Sequence, residues 1–200
     1  MCVEPERTNV KLLRKASHAL GYDKNTSDHG TFHIVQAAVT DQAKESEWVD
    51  FPDAPPGKQP GFEAGHLPVR SSTPVPLKTV DGIVAELRLP PVDVLLIDIE
   101  GFDPLALRGA STTLSSVRYL EFEVHRDKVD RPWGKITLKS VNENLLHQGF
   151  HCFWATNRGV LVSLNHCWKD SFDAAAVGWS NVACVKENDP WYKVMRRFQA

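Results

Sequence analysis

Asp98 and Glu100 stand two residues apart, directly after the run Val94-Leu95-Leu96-Ile97 and directly before Gly101. Carboxylates at that spacing project from one face wherever the chain is still extended. One of them can hold an acceptor hydroxyl while the other meets an ammonium group or orders the loop. His125 follows a second apolar-rich run, Val117 to Val124, again at a strand's carboxyl end. A histidine exchanges its proton near neutrality, which makes His125 the first choice for a general base. The plainer alternatives stand beside these. His125 also reads as a solvated loop histidine, and Glu100 as an acid meeting the backbone N–H groups of a nearby helix. Asp98, Glu100, Glu123 and His125 together form a mixed oxygen and nitrogen set of the kind that holds a divalent cation. No H-x-x-x-H or comparable spacing links these four residues, so the sequence assigns no metal ligand.

The elements around these residues can be read from pattern. Val94 to Ile97 has no alternation, as expected of a strand covered on both faces in a parallel sheet, and ligands bind beyond the carboxyl ends of such strands. Asp103 is placed to cap a helix with Pro104 at its first position, continuing through Leu105, Ala106 and Leu107 and stopping near Gly109. Val117 to Val124 alternates as a strand, and His125-Arg126 follow at its carboxyl end. Ile136 to Gln148 reads as a helix stopped at Gly149, with Val141 and Leu145 facing inward. Phe150 to Trp154, Val160 to Leu164 and Asn181 to Val185 read as short strands.

Upstream, Met1 to Glu4 reads as the end of a strand, and Pro5 starts a helix with Val10, Leu13, Ala16 and Leu20 on one face, closed by Gly21. A carboxylate such as Glu4, at a strand end just before a helix, is where nucleotide-binding folds hold ribose hydroxyls. Its plain alternative is a surface acid favoured by the helix dipole. Thr31 to Val39 reads as the next strand, turned by Thr40-Asp41. From Gln42 to Pro76 prolines and glycines dominate, and the stretch reads as loop with a short strand near Trp48 to Phe51. A loop of that length is either functional or disordered. As a lid it would use Trp48, Phe51 and Phe62 as apolar contacts. Thr79 caps a short helix through Val80, Ile83, Val84 and Leu87, with Asp81 in its first turn and Pro90-Pro91 beyond.

These stretches resemble the FkbM family of S-adenosylmethionine-dependent methyltransferases. Asp98, Glu100, Gly101, Leu107, Gly109 and Ala110 match its strand–loop–helix signature, with Leu96 where the family usually has a lysine. Glu4-Pro5 match its E-P motif, Asn9 and Leu12-Leu13 follow as in its helix, and the likeness runs from Val3 to about Val185. The resemblance implies an α/β fold: a Rossmann-like class I sheet, mostly parallel, with an antiparallel C-terminal hairpin. It implies S-adenosylmethionine as cofactor, with Glu4 on ribose, Ala38 and Asp41 near adenine, and Asp98, Glu100 and His125 at the reacting end. For Asp41 a simple turn role is an equal alternative. The implied activity is O-methylation of a hydroxyl on a small molecule or sugar. The sequence departs from the pattern at one place. No strand with a glycine-rich turn precedes Glu4, and the early glycines, Gly21 and Gly30, come after it. The expectation is therefore a single, incomplete methyltransferase domain over 1–200 with an insertion at about 42–76, binding the cofactor poorly. The alternative from a different class is a non-catalytic module that keeps the scaffold and binds a partner or glycan through the proline-rich insertion.

Composition narrows the field. At 200 residues, net charge -2 and pI about 6.4, the chain offers no electrostatic case for nucleic acid or anionic membranes. It has no apolar run of the roughly 18 residues that would mark a membrane segment, and its start has no signal-peptide core. A cytoplasmic location is the corresponding expectation. Cys2, Cys152, Cys167 and Cys184 are scattered without a C-x-x-C pair and read as buried free thiols of a reduced compartment. Asn25-Thr26-Ser27 is a glycosylation sequon that reads as accidental.

Overall fold

A computed structural model describes residues 1–22, 30–42, 47–53, 71–125, 131–165, 168–174 and 179–200. The fold is mixed α/β, in two compact units, Met1–Lys78 and Thr79–Ala200.

In the first unit, β1 (Cys2–Val3) runs parallel to β2 (Ile34–Val35), with Cys2 opposite Ile34 and Val3 opposite Val35. Helix α1 (Arg7–Ala19) starts two residues later than the proline suggested. Glu6 is its N-cap, its side chain accepting the Asn9 N–H at 2.7 Å, and Gly21 leaves the helix at φ 78°. The buried side chains of α1 are Val10 and Ser17. Ala16 is exposed, and Leu20, already the C-cap, is 66 % exposed.

The strand expected over Thr31 to Val39 breaks in two. After β2 come Gln36 and the fully buried Ala37, then β3 (Ala38–Val39), which pairs with a different neighbour. That neighbour corrects the expected loop. Ser72–Lys78 forms β5, the middle strand of a β3-β5-β4 sheet whose third member is β4 (Trp48–Pro52). Two prolines are tolerated in this central strand because of where their missing N–H groups would point. Leu77 N–H turns toward β4 and bonds Glu47 O, whereas Lys78 O turns toward β3 and accepts from Thr40 N–H. Pro74 and Pro76 share the parity of Lys78, and β3 pairs only at Leu77 and Lys78, past both prolines. Of the lid contacts, Trp48 is 59 % exposed. Phe62, Pro55, Pro56, Pro60, Pro68 and the sequon lie outside the described residues.

The second unit opens with α2 (Val80–Glu86), capped by Thr79 as expected. There follow β6 (Val94–Ile97), α3 (Asp103–Arg108), β7 (Tyr119–His125), α4 (Leu138–His147), β8 (Phe150–Ala155), β9 (Leu161–Ser163), α5 (Ser171–Ala174), β10 (Trp179–Lys186) and α6 (Pro190–Met195). One sheet takes the order β6-β7-β10-β8-β9, with β6 and β7 parallel and every other pair antiparallel. Its core is Leu120, Phe122 and Val124 from β7, Phe150 and Phe153 from β8, Val182 from β10, and Trp133. Burial on both faces of β6 holds for Ile97 but not for Val94 and Leu96, which are 49 % and 66 % exposed at the sheet edge. On α4 the buried residues are Leu138, Asn142 and Leu145, with Val141 only half-buried.

The free-thiol expectation fails for two of the four cysteines. Cys152 and Cys184 form a disulfide across β8 and β10, with Cα atoms 4.1 Å apart. Cys152 turns its N–H to Asn165 Oδ1 and its carbonyl to Leu164 N–H, away from β10. The pair is thus of the non-hydrogen-bonded type, in which facing side chains approach most closely. Cys2 is free, and Cys167 lies outside the described residues.

Candidate functional site

Register places the acids. Ile97 at the end of β6 is paired with Phe122 of β7, so Asp98 and Glu123 leave the ladder side by side. The chain then turns through Glu100 at φ 57° and Gly101 at φ 96°. The left-handed conformation is ordinary for glycine and costs a glutamate about 1–2 kcal/mol. At Gly101 a Cβ would also sit 3.2 Å from Arg131 Cβ. The Arg131 guanidinium lies over the Phe102 ring at 4.9 Å.

Asp103 was expected as an N-cap, and this is corrected. Phe102 occupies the cap without a side-chain bond, and Asp103 is the first residue of α3. Its fully buried carboxylate turns inward, Oδ2 accepting Gly101 N–H at 3.2 Å and Oδ1 accepting Glu123 N–H at 3.1 Å. Burial pushes Asp103 up to about 7 despite these donors.

Alternation along β7 puts Glu123 and His125 on one face. His125 Nε2 lies 2.8 Å from Glu123 Oε2 and 3.5 Å from Glu100 Oε2. The side chains of Glu123 and His125 are each 10 % exposed, and that of Glu100 is 39 % exposed, so the group opens to solvent through Glu100. The Glu123 carboxyl also makes a side-chain hydrogen bond with Asp98, and burial, then the charges of Asp98, Glu100 and Asp103, push it up to about 8. Its Oε2 is buried and accepts no hydrogen bond, and it stands in an ion pair with His125 Nε2. The structure therefore brings together Asp98, Glu100 and His125, the three residues expected at the reacting end. It adds Glu123, which the sequence offered only as one of a metal set, and Asp103, which ties the loop to β7. The parity of Glu123 with His125 was the available signal for the first. None existed for the second. Arg126 lies outside the described residues.

In the first unit Glu4 follows β1 at its carboxyl end, and its N–H donates to Val35 O at 3.0 Å. Its Oε1 accepts Glu6 N–H at 2.8 Å and its Oε2 accepts Asn9 Nδ2–H at 3.3 Å. Burial raises its pKa against these two donors. Ala38 lies in β3, and Asp41 follows it, accepting from Thr40 Oγ1–H at 3.4 Å.

A family model described as the methyltransferase FkbM domain matches residues 2–152. The chain belongs to the FkbM methyltransferase family. No curated protein and no solved structure matches it. The FkbM match takes in both groups of residues above, Glu4 with Ala38 and Asp41, and Asp98 through His125. It ends at Cys152, within β8, so β9, β10 and α6 follow beyond it. Among the described residues of this FkbM chain, no helix is long and apolar enough to cross a membrane.

Proposed function

We propose that this chain is a methyltransferase domain that uses S-adenosylmethionine to methylate a hydroxyl of a small molecule or sugar. The cofactor, when bound, supplies a methyl group on a positively charged sulfur. The observation that carries the proposal is the meeting of Asp98, Glu100, Glu123 and His125 at the carboxyl ends of β6 and β7 in a chain of the FkbM family. An alcohol acceptor is held and relieved of its proton by that group, the task a carboxylate and imidazole set performs at neutral pH. Displacement at a sulfonium needs little more than positioning, so a rigid polar cluster suffices.

The residues of the first unit suit the nucleoside half of the cofactor. Each oxygen of Glu4 already takes one donor and keeps a lone pair, which two neighbouring ribose hydroxyls can fill. Ala38 and Asp41 follow β2 and take the adenine, Asp41 accepting from the exocyclic amine. The order β6-β7-β10-β8, parallel and then antiparallel, supports a Rossmann-like sheet closed by a C-terminal hairpin.

Calorimetric titration of S-adenosylmethionine into the chain and into Glu4→Gln tests the assignment. Saturable binding that falls about tenfold or more in the variant is expected, from loss of a charge-assisted pair of hydrogen bonds. Equal affinity of the two proteins would remove Glu4 from the site, and no binding at millimolar cofactor would remove the activity from this chain.

A further inference from the structure

We propose that Glu100, Glu123 and His125 form a binding site for a divalent cation of the Mg2+/Mn2+ class. Each of the three offers one ligand atom, and the three atoms lie within 4.8 Å of one another. With metal–ligand bonds of about 2.1 Å, neighbouring ligands of an octahedral ion are about 3.0 Å apart. The distances of 2.8 Å and 3.5 Å from His125 Nε2 to the two carboxylate oxygens bracket that edge. Only a small movement of Glu100, the most exposed of the three side chains, is needed to complete the set.

Proximity of acids alone would not make a site. The second observation is Glu123 Oε2, buried, aimed into the cluster and accepting no hydrogen bond, although a nitrogen stands at contact distance. An acceptor buried without a hydrogen-bond donor is unfavourable, and a cation at that point would offset this. The donor set limits the ion. Two carboxylates and one imidazole suit Mn2+, with Mg2+ a close second, and the absence of thiolates disfavours softer metals. Asp103 acts as a positioning residue, fixing the backbone of Glu123 and of the Glu100 loop.

The role of such a cation rests on the methyltransferase reading. Bound here, with Glu100 open to solvent, it leaves positions for an acceptor oxygen, favouring acceptors with two adjacent oxygens such as a sugar diol. His125 then serves as a ligand and Asp98 is left to take the acceptor's proton.

The test is Mn2+ binding to the 200-residue chain without cofactor, read as loss of the free Mn2+ electron paramagnetic resonance signal and as a rise in melting temperature. About one Mn2+ per chain is expected, with affinity falling at least about tenfold in Glu123→Gln and in His125→Asn. Glu100→Gln, at an exposed position, keeps the comparison interpretable should the buried variants fold poorly. Glu86→Gln, on the exposed side of α2, should bind as the parent does. No binding at millimolar Mn2+, or binding that survives Glu100→Gln and His125→Asn unchanged, would overturn the site. Mn2+ binding without S-adenosylmethionine binding would keep the cation site and sink the methyltransferase role, and the reverse result would do the opposite.

Discussion

Asp103 grips Glu123 by its backbone: Oδ1 accepts the Glu123 N–H at 3.1 Å while Oδ2 accepts the N–H of Gly101 at 3.2 Å. One fully buried carboxylate thus sets the distance between the loop that carries Glu100 and the strand that carries Glu123 and His125. The consequence is that the acids of the cluster are placed by tertiary structure and not by the flexibility of their own side chains.

Asp103→Asn should cost about 2 kcal/mol of stability. An amide keeps one acceptor oxygen and turns an NH2 toward the other buried N–H, leaving that donor unsatisfied. Urea denaturation of the two proteins measures it. Equal midpoints and slopes would mean that the carboxylate does not hold the loop.

Glu100→Gly should separate stability from function. The glutamate holds φ 57°, a conformation glycine adopts freely, so the variant should be as stable as the parent or more stable by up to about 1 kcal/mol. Methyl transfer, and any Mn2+ binding, should fall together with the lost carboxylate. A variant that is both less stable and fully active would show that Glu100 is a structural residue. Paired thermal melts and activity assays decide between these.

The legible parts of this chain were those decided by nearby residues. Thr79 and Gly149 bound their helices as a capping side chain and a positive φ require, whereas α4 begins two residues after the Ile136 that the pattern suggested. Elements decided by distant partners were not legible. Pro74 and Pro76 read as loop because nothing local says that β3 stops short of them. The inward turn of Asp103 depends on a β7 amide twenty residues away, so local pattern offered only the cap. Cys152 and Cys184 meet only because β10 inserts between β7 and β8 in one register.

Asp81 gives the second unit an acid limit. Partial burial pulls its pKa upward, but bonds from the Thr113 hydroxyl and the N–H groups of Thr112 and Thr113 prevail and hold it below the ordinary aspartate value. A depressed folded pKa contributes stability above the unfolded value, near 3.9, that is lost as pH falls through the folded one. Melting temperature should therefore drop below about pH 4 more steeply in the parent than in Asp81→Asn. The variant should itself be about 1 kcal/mol less stable at neutral pH, since the site is partly solvated. Parallel acid profiles for the two proteins would exclude Asp81 as the source.

Reduction should loosen the second unit considerably. The Cys152–Cys184 bond closes a segment with a sequence separation of 32, for which chain entropy gives about 3–4 kcal/mol of stabilisation. Both cysteines are fully buried between neighbouring strands, so the bond should resist mild reductant in the native state and yield once urea opens the sheet. The pair departs from the reading of these two cysteines as buried free thiols of a reduced compartment. Unreduced peptide mapping should recover residues 152 and 184 in one linked species, and alkylation of the native protein should reach Cys2 but neither of them. Urea midpoints with and without reductant should differ in proportion to the lost free energy. Native protein whose Cys152 and Cys184 both take up alkylating agent would show the strands in register but the sulfurs unjoined.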